Sequence, residues 1–160
     1  MGTLRKESLF HYVKNGLDYV LFYPKYHEDD RRRGWFDIFF GEISYSNIKN
    51  INIVHIPHTN TLVAWHKHKN QTDLWFVPQG RLMAGVAYKE ETSNKIEHDF
   101  VSLSPQTGGV LIIPPNTWHG YKTLEPNTIL IYGITQEYDP EDELRASLED
   151  LQIDWDLGVR

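Results

Sequence analysis

Cysteine is missing from the 160-residue sequence. Disulfides and thiolate metal sites are therefore excluded, and the chemistry fits a reducing cytosol. Long apolar runs are missing too. Nothing approaches the roughly 18 consecutive apolar residues that would cross a bilayer. The opening Met1-Gly2-Thr3-Leu4-Arg5-Lys6-Glu7-Ser8 lacks the apolar stretch of a secretory leader. A cytoplasmic protein with no membrane partner is the expectation. Positive charge is short: 16 Lys and Arg stand against 22 Asp and Glu, for a net charge of −6. Phosphate backbones demand a basic face, so no nucleic-acid partner is expected. Internal repeats and low-complexity segments are also absent. Aromatic residues are plentiful, with five Trp and nine Tyr. They suit an all-β domain with an aromatic-lined cavity or, equally, a Trp-rich core. The length fits one domain over residues 1–160.

Short apolar runs separated by turn signals read as strands at 18–23, 35–43, 48–56, 62–68, 73–77, 81–88, 99–103, 110–113, 119–124 and 128–134. Within 35–43, Phe36, Ile38 and Phe40 share one face. Such near-regular spacing indicates a β-sandwich or barrel. Two segments depart from it. Leu9, Phe10 and Val13 form a helical stripe that Asn15-Gly16 would stop, so residues 1–15 read as an N-terminal extension carrying a helix. Asp139 is a good N-cap and Pro140 a good first helical residue. Leu144, Leu148 and Leu151 then share a face, which predicts a C-terminal helix over 140–151. Ile153-Asp154-Trp155 should pack back on the domain. Residues 25–34 form a loop dense in charge of both signs. Most of it reads as solvated, but Arg33, beside Gly34, is a candidate for an anionic ligand group, because a guanidinium binds phosphate bidentately.

Chemistry concentrates in residues 62–80. His66 and His68 are two apart on a strand, so they project from one face while Trp65 and Lys67 project from the other. The polar turn at 69–72 returns the chain, which can bring Asp73 beside the histidines. A third imidazole, His119, follows Ile113-Pro114-Pro115-Asn116-Thr117-Trp118. This set can hold a divalent metal or work as an acid–base site. Plainer roles fit as well. Asp73 can simply orient a histidine, His119 can be a structural residue beside the Pro-Pro turn, and Trp65, Trp75 and Trp118 can be core or rim. His11, His27, His55, His58 and His98 read as surface residues.

His66 and His68, then Asp73 after four residues and Gly80 after six more, resemble the first cupin motif, with Asp in its Glu slot. Gly108, Pro114 and His119 are similar to the second, with Asn116 in its Gly slot and Thr123 in its Asn slot. The resemblance implies a double-stranded β-helix (cupin jelly roll) with its site in the barrel mouth. A narrower resemblance covers residues 16–157. Asp30-Arg31-Arg32-Arg33-Gly34-Trp35-Phe36-Asp37, Ala64-Trp65-His66, the run from Ile113 to Tyr121, Ile131-Tyr132 with Tyr138-Asp139-Pro140 six residues later, and Gln152-Ile153-Asp154-Trp155 all resemble segments of the dTDP-4-dehydrorhamnose 3,5-epimerase family.

That resemblance implies a homodimer acting on a nucleotide sugar, a dTDP-4-keto-6-deoxyhexose, with no cofactor. His66 would be the base that removes a proton next to the ketone, and Tyr132 the acid on the opposite face. Arg33 would meet the diphosphate, while His68, Asp73 and His119 position the keto group. The pattern also departs from the family. Val63 fills an Arg slot, Asp73 a Lys slot, and Leu148 the slot of an acidic partner for the base, although a small shift brings in Glu149 or Asp150. His68 lies outside the family pattern and resembles the His-x-His of sugar-nucleotide 3,4-ketoisomerases. An enolate oxygen needs a positive or hydrogen-bonding partner. A metal on His66, His68, Asp73 and His119, or protonated His68 or His119, would replace the lysine. A histidine bound to metal is not free to be a base. A metal-dependent cupin acting on another small molecule and a non-catalytic sugar-binding cupin are therefore the alternatives.

Overall fold

Alternation of apolar and polar residues dictates this architecture, because a strand sends successive side chains to opposite faces. The structure is a computed structural model that describes residues 2–5, 8–36 and 48–156. The strands are β1 (Gly2–Arg5), β2 (Ser8–Lys14), β3 (Leu17–Tyr23), β4 (Tyr26–Glu28), β5 (Gly34–Phe36), β6 (Asn50–Ile56) and β7 (Leu62–His68). They continue with β8 (Asp73–Gln79), β9 (Leu82–Lys89), β10 (Ile96–Leu103), β11 (Val110–Ile113), β12 (Trp118–Thr123), β13 (Thr128–Ile134) and β14 (Glu143–Arg145). One helix, α1 (Leu148–Leu151), follows.

Two antiparallel sheets face each other as a jelly roll. The larger has six strands in the order β2-β3-β11-β8-β13-β6, and the smaller five in the order β10-β9-β12-β7-β14. A separate small sheet joins β1, β4 and β5. The main core lies between the large sheets. Leu21, Trp75, Val77, Leu111 and Leu130 enter it from one side, and Leu82, Ala84, Val86 and Leu103 from the other. Burial of each large apolar side chain contributes about 1.5–3 kcal/mol. A second core covers the outer face of the five-stranded sheet, where Trp65 and Ala87 pack against Leu151, Ile153 and Trp155. The tail therefore does fold back on the domain. The Trp65 and Trp155 rings sit 5.0 Å apart. Gly85 makes this possible, since a Cβ there would lie 2.5 Å from one indole and 2.8 Å from the other.

Strands 62–68, 110–113 and 128–134 match the sequence reading, and most of the others differ by one to three residues. The N-terminal helix is a correction. Residues 8–14 are β2, paired with β3 from Ser8↔Tyr23 to Lys14↔Leu17. Asn15 (φ 49°) and Gly16 (φ 91°) are both left-handed, as a two-residue hairpin turn requires. The same dipeptide stops a helix or turns a hairpin, and the ladder available on β3 decided between them. The helix over 140–151 is the second correction. Residues 143–145 instead form β14, on the edge of β7. The helix is limited to Leu148–Leu151 and capped by a Ser147/Asp150 capping box rather than by Asp139. Pairing the open backbone of β7 outweighed the helical spacing of Leu144 and Leu148, both of which are exposed. Ile38 and Phe40, assigned to a strand from sequence, lie outside the described residues, as does the side chain of Phe36. Among the described residues no helix is long and apolar enough to cross a membrane.

Candidate active site

The turn at 69–72 does not close a hairpin within one sheet. It carries the chain from β7 in the five-stranded sheet to β8 in the six-stranded sheet. Asp73, the first residue of β8, thus faces the histidines from across the barrel. His66 pairs in register with His119 on β12, so both share the inner face. Trp65 and Lys67 take the other face, Trp65 in the outer core and Lys67 with its ammonium 4.7 Å from the centre of the Trp118 ring. A register shift between β12 and β7 near Tyr121 locally breaks the alternation, and Val63 also reaches the cavity wall. Tyr132 stands on β13 beside Trp75 of β8. The resulting cavity of ≈ 260 Å³ is lined by His66, His68, Gln71, Asp73, Tyr121 and Tyr132 together with apolar residues from both sheets.

The imidazoles crowd together. Ring centres are 4.3 Å apart for His66 and His119, 5.5 Å for His68 and His119, and 5.9 Å for His66 and His68. One nitrogen from each ring lies within 4.8 Å of the others. His119 is buried and donates from Nδ1 to the Thr117 carbonyl at 2.8 Å. Its Nε2 makes no hydrogen bond, although Asp73 Oδ2 lies 3.5 Å away. Asp73, also buried, accepts from Gln71 Nε2 at 2.7 Å and from Trp75 Nε1 at 3.3 Å. The Gln71 amide also points at His68 Nε2, at 3.2 Å. On the other side of that ring, Nδ1 is 3.6 Å from Asp142 Oδ2. Asp142 in turn accepts from the Asn70 and Gln71 backbone N–H groups and from the Asn70 side chain, fixing the crossing turn.

These surroundings set the protonation states. Burial, reinforced by the neighbouring His119, pushes His66 down to about 3, so its ring is neutral at pH 7 with a lone pair to offer. Burial also lowers His68, against the opposing pull of Asp73. For Asp73 burial acts upward, but the facing His119 imidazole, the Gln71 hydrogen bond and His68 outweigh it and hold the carboxyl at about 2. Tyr132 is raised by burial and then by the charges of Asp73 and Glu143, so its phenol keeps its proton. A neutral imidazole on one sheet and a phenol on the other therefore share one cavity.

His66, His68, Asp73 and Tyr132, all singled out from sequence, line the cavity, and His119 backs it. Arg33 is not among the lining residues. It is exposed and paired with Asp29, Nη2 to Oδ2 at 2.6 Å. Leu148 and Glu149 are exposed and Asp150 caps α1, so none of the three serves as an acidic partner at the cavity. Besides Asp73, the acids there are Asp139, Glu143 and, behind His68, Asp142. Reading 140–151 as a helix concealed Asp142 and Glu143, although Glu143 is the register partner of His68. Tyr121 was also passed over, yet it lies two residues beyond His119, a spacing that marks a shared face.

The cupin-like jelly roll with its site in an enclosed cavity is the architecture of a class of barrel enzymes of isomerase and epimerase type. Within it, the chain belongs to the dTDP-4-dehydrorhamnose 3,5-epimerase family, whose sequence pattern matches residues 17–160. The spore coat polysaccharide biosynthesis protein SpsL of Bacillus subtilis is 31% identical over 128 residues, covering 76% of this chain and 78% of that one. The crystal structure of the dTDP-4-dehydrorhamnose 3,5-epimerase of Bacillus anthracis, with TDP and PPi bound, superposes with a TM-score of 0.77 at 22% identity, covering 92% of this chain and 90% of that one. The corresponding epimerase of Sulfolobus tokodaii gives 0.74 at 26% identity, covering 92% and 85%. Family and fold together support an isomerase or epimerase type of activity.

Proposed function

We propose that this protein epimerises or isomerises a dTDP-4-keto-6-deoxyhexose by removing a proton next to the ketone and returning one to the enolate. The observation that carries this reading is the pair formed by His66 and Tyr132, which enter one cavity from opposite sheets with the lone pair and the proton such chemistry needs. His66 takes the proton from carbon. Tyr132 delivers one to the opposite face, which inverts the centre. The enolate oxygen requires a donor, and with Asp73 in the lysine slot, the imidazole of His68 is the cavity-lining group that can supply it, since His119 gives its Nδ1–H to the Thr117 carbonyl. The chemistry itself calls for no cofactor. Arg33 would meet the diphosphate by exchanging Asp29 for a phosphate oxygen.

The family resemblance also underlies the proposal of a homodimer. Leu9, Phe10, Tyr12 and Val13 on edge strand β2, and Ile51 and Ile53 on the opposite edge strand β6, are exposed apolar residues that a partner subunit can cover. We propose, too, that residues 1–160 act as a single cytoplasmic domain. The test is NMR of dTDP-4-keto-6-deoxyglucose in heavy water with the purified protein. Deuterium should enter at C3, C5 or both, and His66→Phe should abolish it. Absence of exchange at both carbons would overturn the reading for this substrate.

A further inference from the structure

We propose that Arg145 holds the sugar-proximal phosphate of a nucleoside diphosphate sugar at the mouth of the cavity. The inference deepens the reading above and rests on it for the class of substrate, not for the chemistry. It starts from a charge imbalance. Among the described residues that line the cavity, Asp73, Asp139 and Glu143 are acids and none is Lys or Arg. Asp142 adds a fourth carboxylate behind His68. Burial favours the neutral form of His66 and of His68, so neither offsets these charges. A diphosphate brings further negative charge, and like charges in a partly desolvated cleft repel one another. The cavity of ≈ 260 Å³ also falls short of the roughly 300–1,000 Å³ that drug-sized ligands occupy. A sugar ring that reaches His66 and Tyr132 therefore leaves its phosphates at the rim, where a cation is required.

Arg145 stands at that rim. On β14 it is the register partner of His66 on β7, and residues opposite each other on adjacent strands send their side chains to one face of the sheet. Its charge is one of those that His66 feels. Two residues earlier, Glu143 lines the cavity and accepts from Arg145 Nε at 3.4 Å and from Nη2 at 3.2 Å. One carboxylate oxygen thus takes two of the guanidinium N–H groups and leaves the rest of an exposed fork for a ligand. Glu143 aims the guanidinium, and the open side of the fork can meet a phosphate bidentately. The other cations fit this place less well. Arg33 is held by Asp29 outside the lining, which leaves it to the outer phosphate. Lys49 lies in a neighbouring recess with Glu137, Tyr138 and Asp139, and an ammonium is a point charge without a fork.

The test is calorimetric titration of the full chain with dTDP at several salt concentrations. Arg145→Met removes the charge and keeps most of the side chain's length. With its fold checked by circular dichroism, it should weaken dTDP binding about tenfold or more, as loss of a hydrogen bond to a charged group does. It should also flatten the dependence of binding on salt, which a merely structural role for the residue would not do. Arg145→Lys should recover part of the affinity. Arg81→Met removes the same charge beyond the far end of β8, where Arg81 faces Glu125, and should bind dTDP as wild type does. The inference is overturned if wild type binds no dTDP, if Arg145→Met keeps wild-type affinity and salt dependence, or if Lys49→Met alone removes the salt-dependent part. Deuterium exchange reports on the epimerase reading separately. Exchange accompanied by dTDP binding that is indifferent to Arg145 would remove only this inference, whereas Arg145-dependent dTDP binding without exchange would remove only that reading.

Discussion

The two faces of the five-stranded sheet share the strand β7 but face different surroundings. On the outer face, Trp65 meets Trp155, Leu151 and Ile153, and the Nε1–H groups of both indoles are buried without a partner. On the inner face, His66 and His68 meet His119, whose Nε2 is likewise unpaired. An unpaired polar atom therefore means different things on the two faces. The outer pair is surrounded by apolar side chains, and dispersion and burial offset the lost hydrogen bonds. The inner one faces a carboxylate and two more rings, so its neighbours are groups that bind and transfer rather than groups that fill space.

This contrast can be broken from either side. The largest effect should come from the inner face. His66→Phe keeps an aromatic ring there and should cut the exchange rate by about 10²–10⁴, the usual contribution of a general base, with an unchanged circular dichroism spectrum. Next, Trp65→Ala should cost about 3–5 kcal/mol in urea unfolding, as large aromatic deletions in cores do, while the surviving folded fraction keeps its exchange activity. A comparable activity loss in Trp65→Ala at equal folded fraction would erase the distinction between the faces.

Acid should sharpen it. Burial pushes His66 down to about 3 in the folded chain, against the ordinary imidazole value of about 6.5 in the unfolded one, so the unfolded chain holds more protons between those values. Stability is full above pH 6.5 and falls as pH drops toward 3, by several kcal/mol in order of magnitude. Asp73 acts in the same direction over a lower window, its contribution being lost as pH falls from 3.8 through about 2. In metal-free protein, urea midpoints against pH should flatten between 6.5 and 3 for His66→Phe and keep their slope for Trp65→Phe. The smallest effect belongs to Lys67, whose ammonium sits over Trp118. Lys67→Ala should cost about 0.5–1 kcal/mol and leave deuterium exchange as it was.

Legibility from sequence followed the same division. The period-two alternation of β7 assigned His66 and His68 to one face and Trp65 to the other without reference to any partner strand. The approach of Asp73 was also readable, but the reason for it was not, because sequence does not tell whether a four-residue turn doubles back or crosses between sheets. Residues 8–14 and 143–145 were misread for one physical reason. Both are short segments whose apolar spacing tolerates either secondary structure, and each was decided by an open strand edge, β3 across a two-residue hairpin in one case and the distant β7 in the other. The second misreading hid Asp142, 3.6 Å from His68, and Glu143, its register partner. Arg33 shows the reverse, a motif residue whose neighbourhood in the folded chain is Asp29 and Trp35 rather than the cavity.

The crossing turn has a consequence for recombination among relatives. Surface loops usually accept insertions and exchange freely between homologues. Residues 69–72 are instead stitched to Asp142, whose carboxylate accepts three hydrogen bonds from Asn70 and Gln71 and whose carbonyl accepts a fourth from the Lys69 N–H at 3.0 Å. The turn and the stretch around residue 142 are thus one inheritable block split across the chain. A chimera that swaps either half alone breaks the wall of the cavity, and a chimera that swaps both carries the cavity with it.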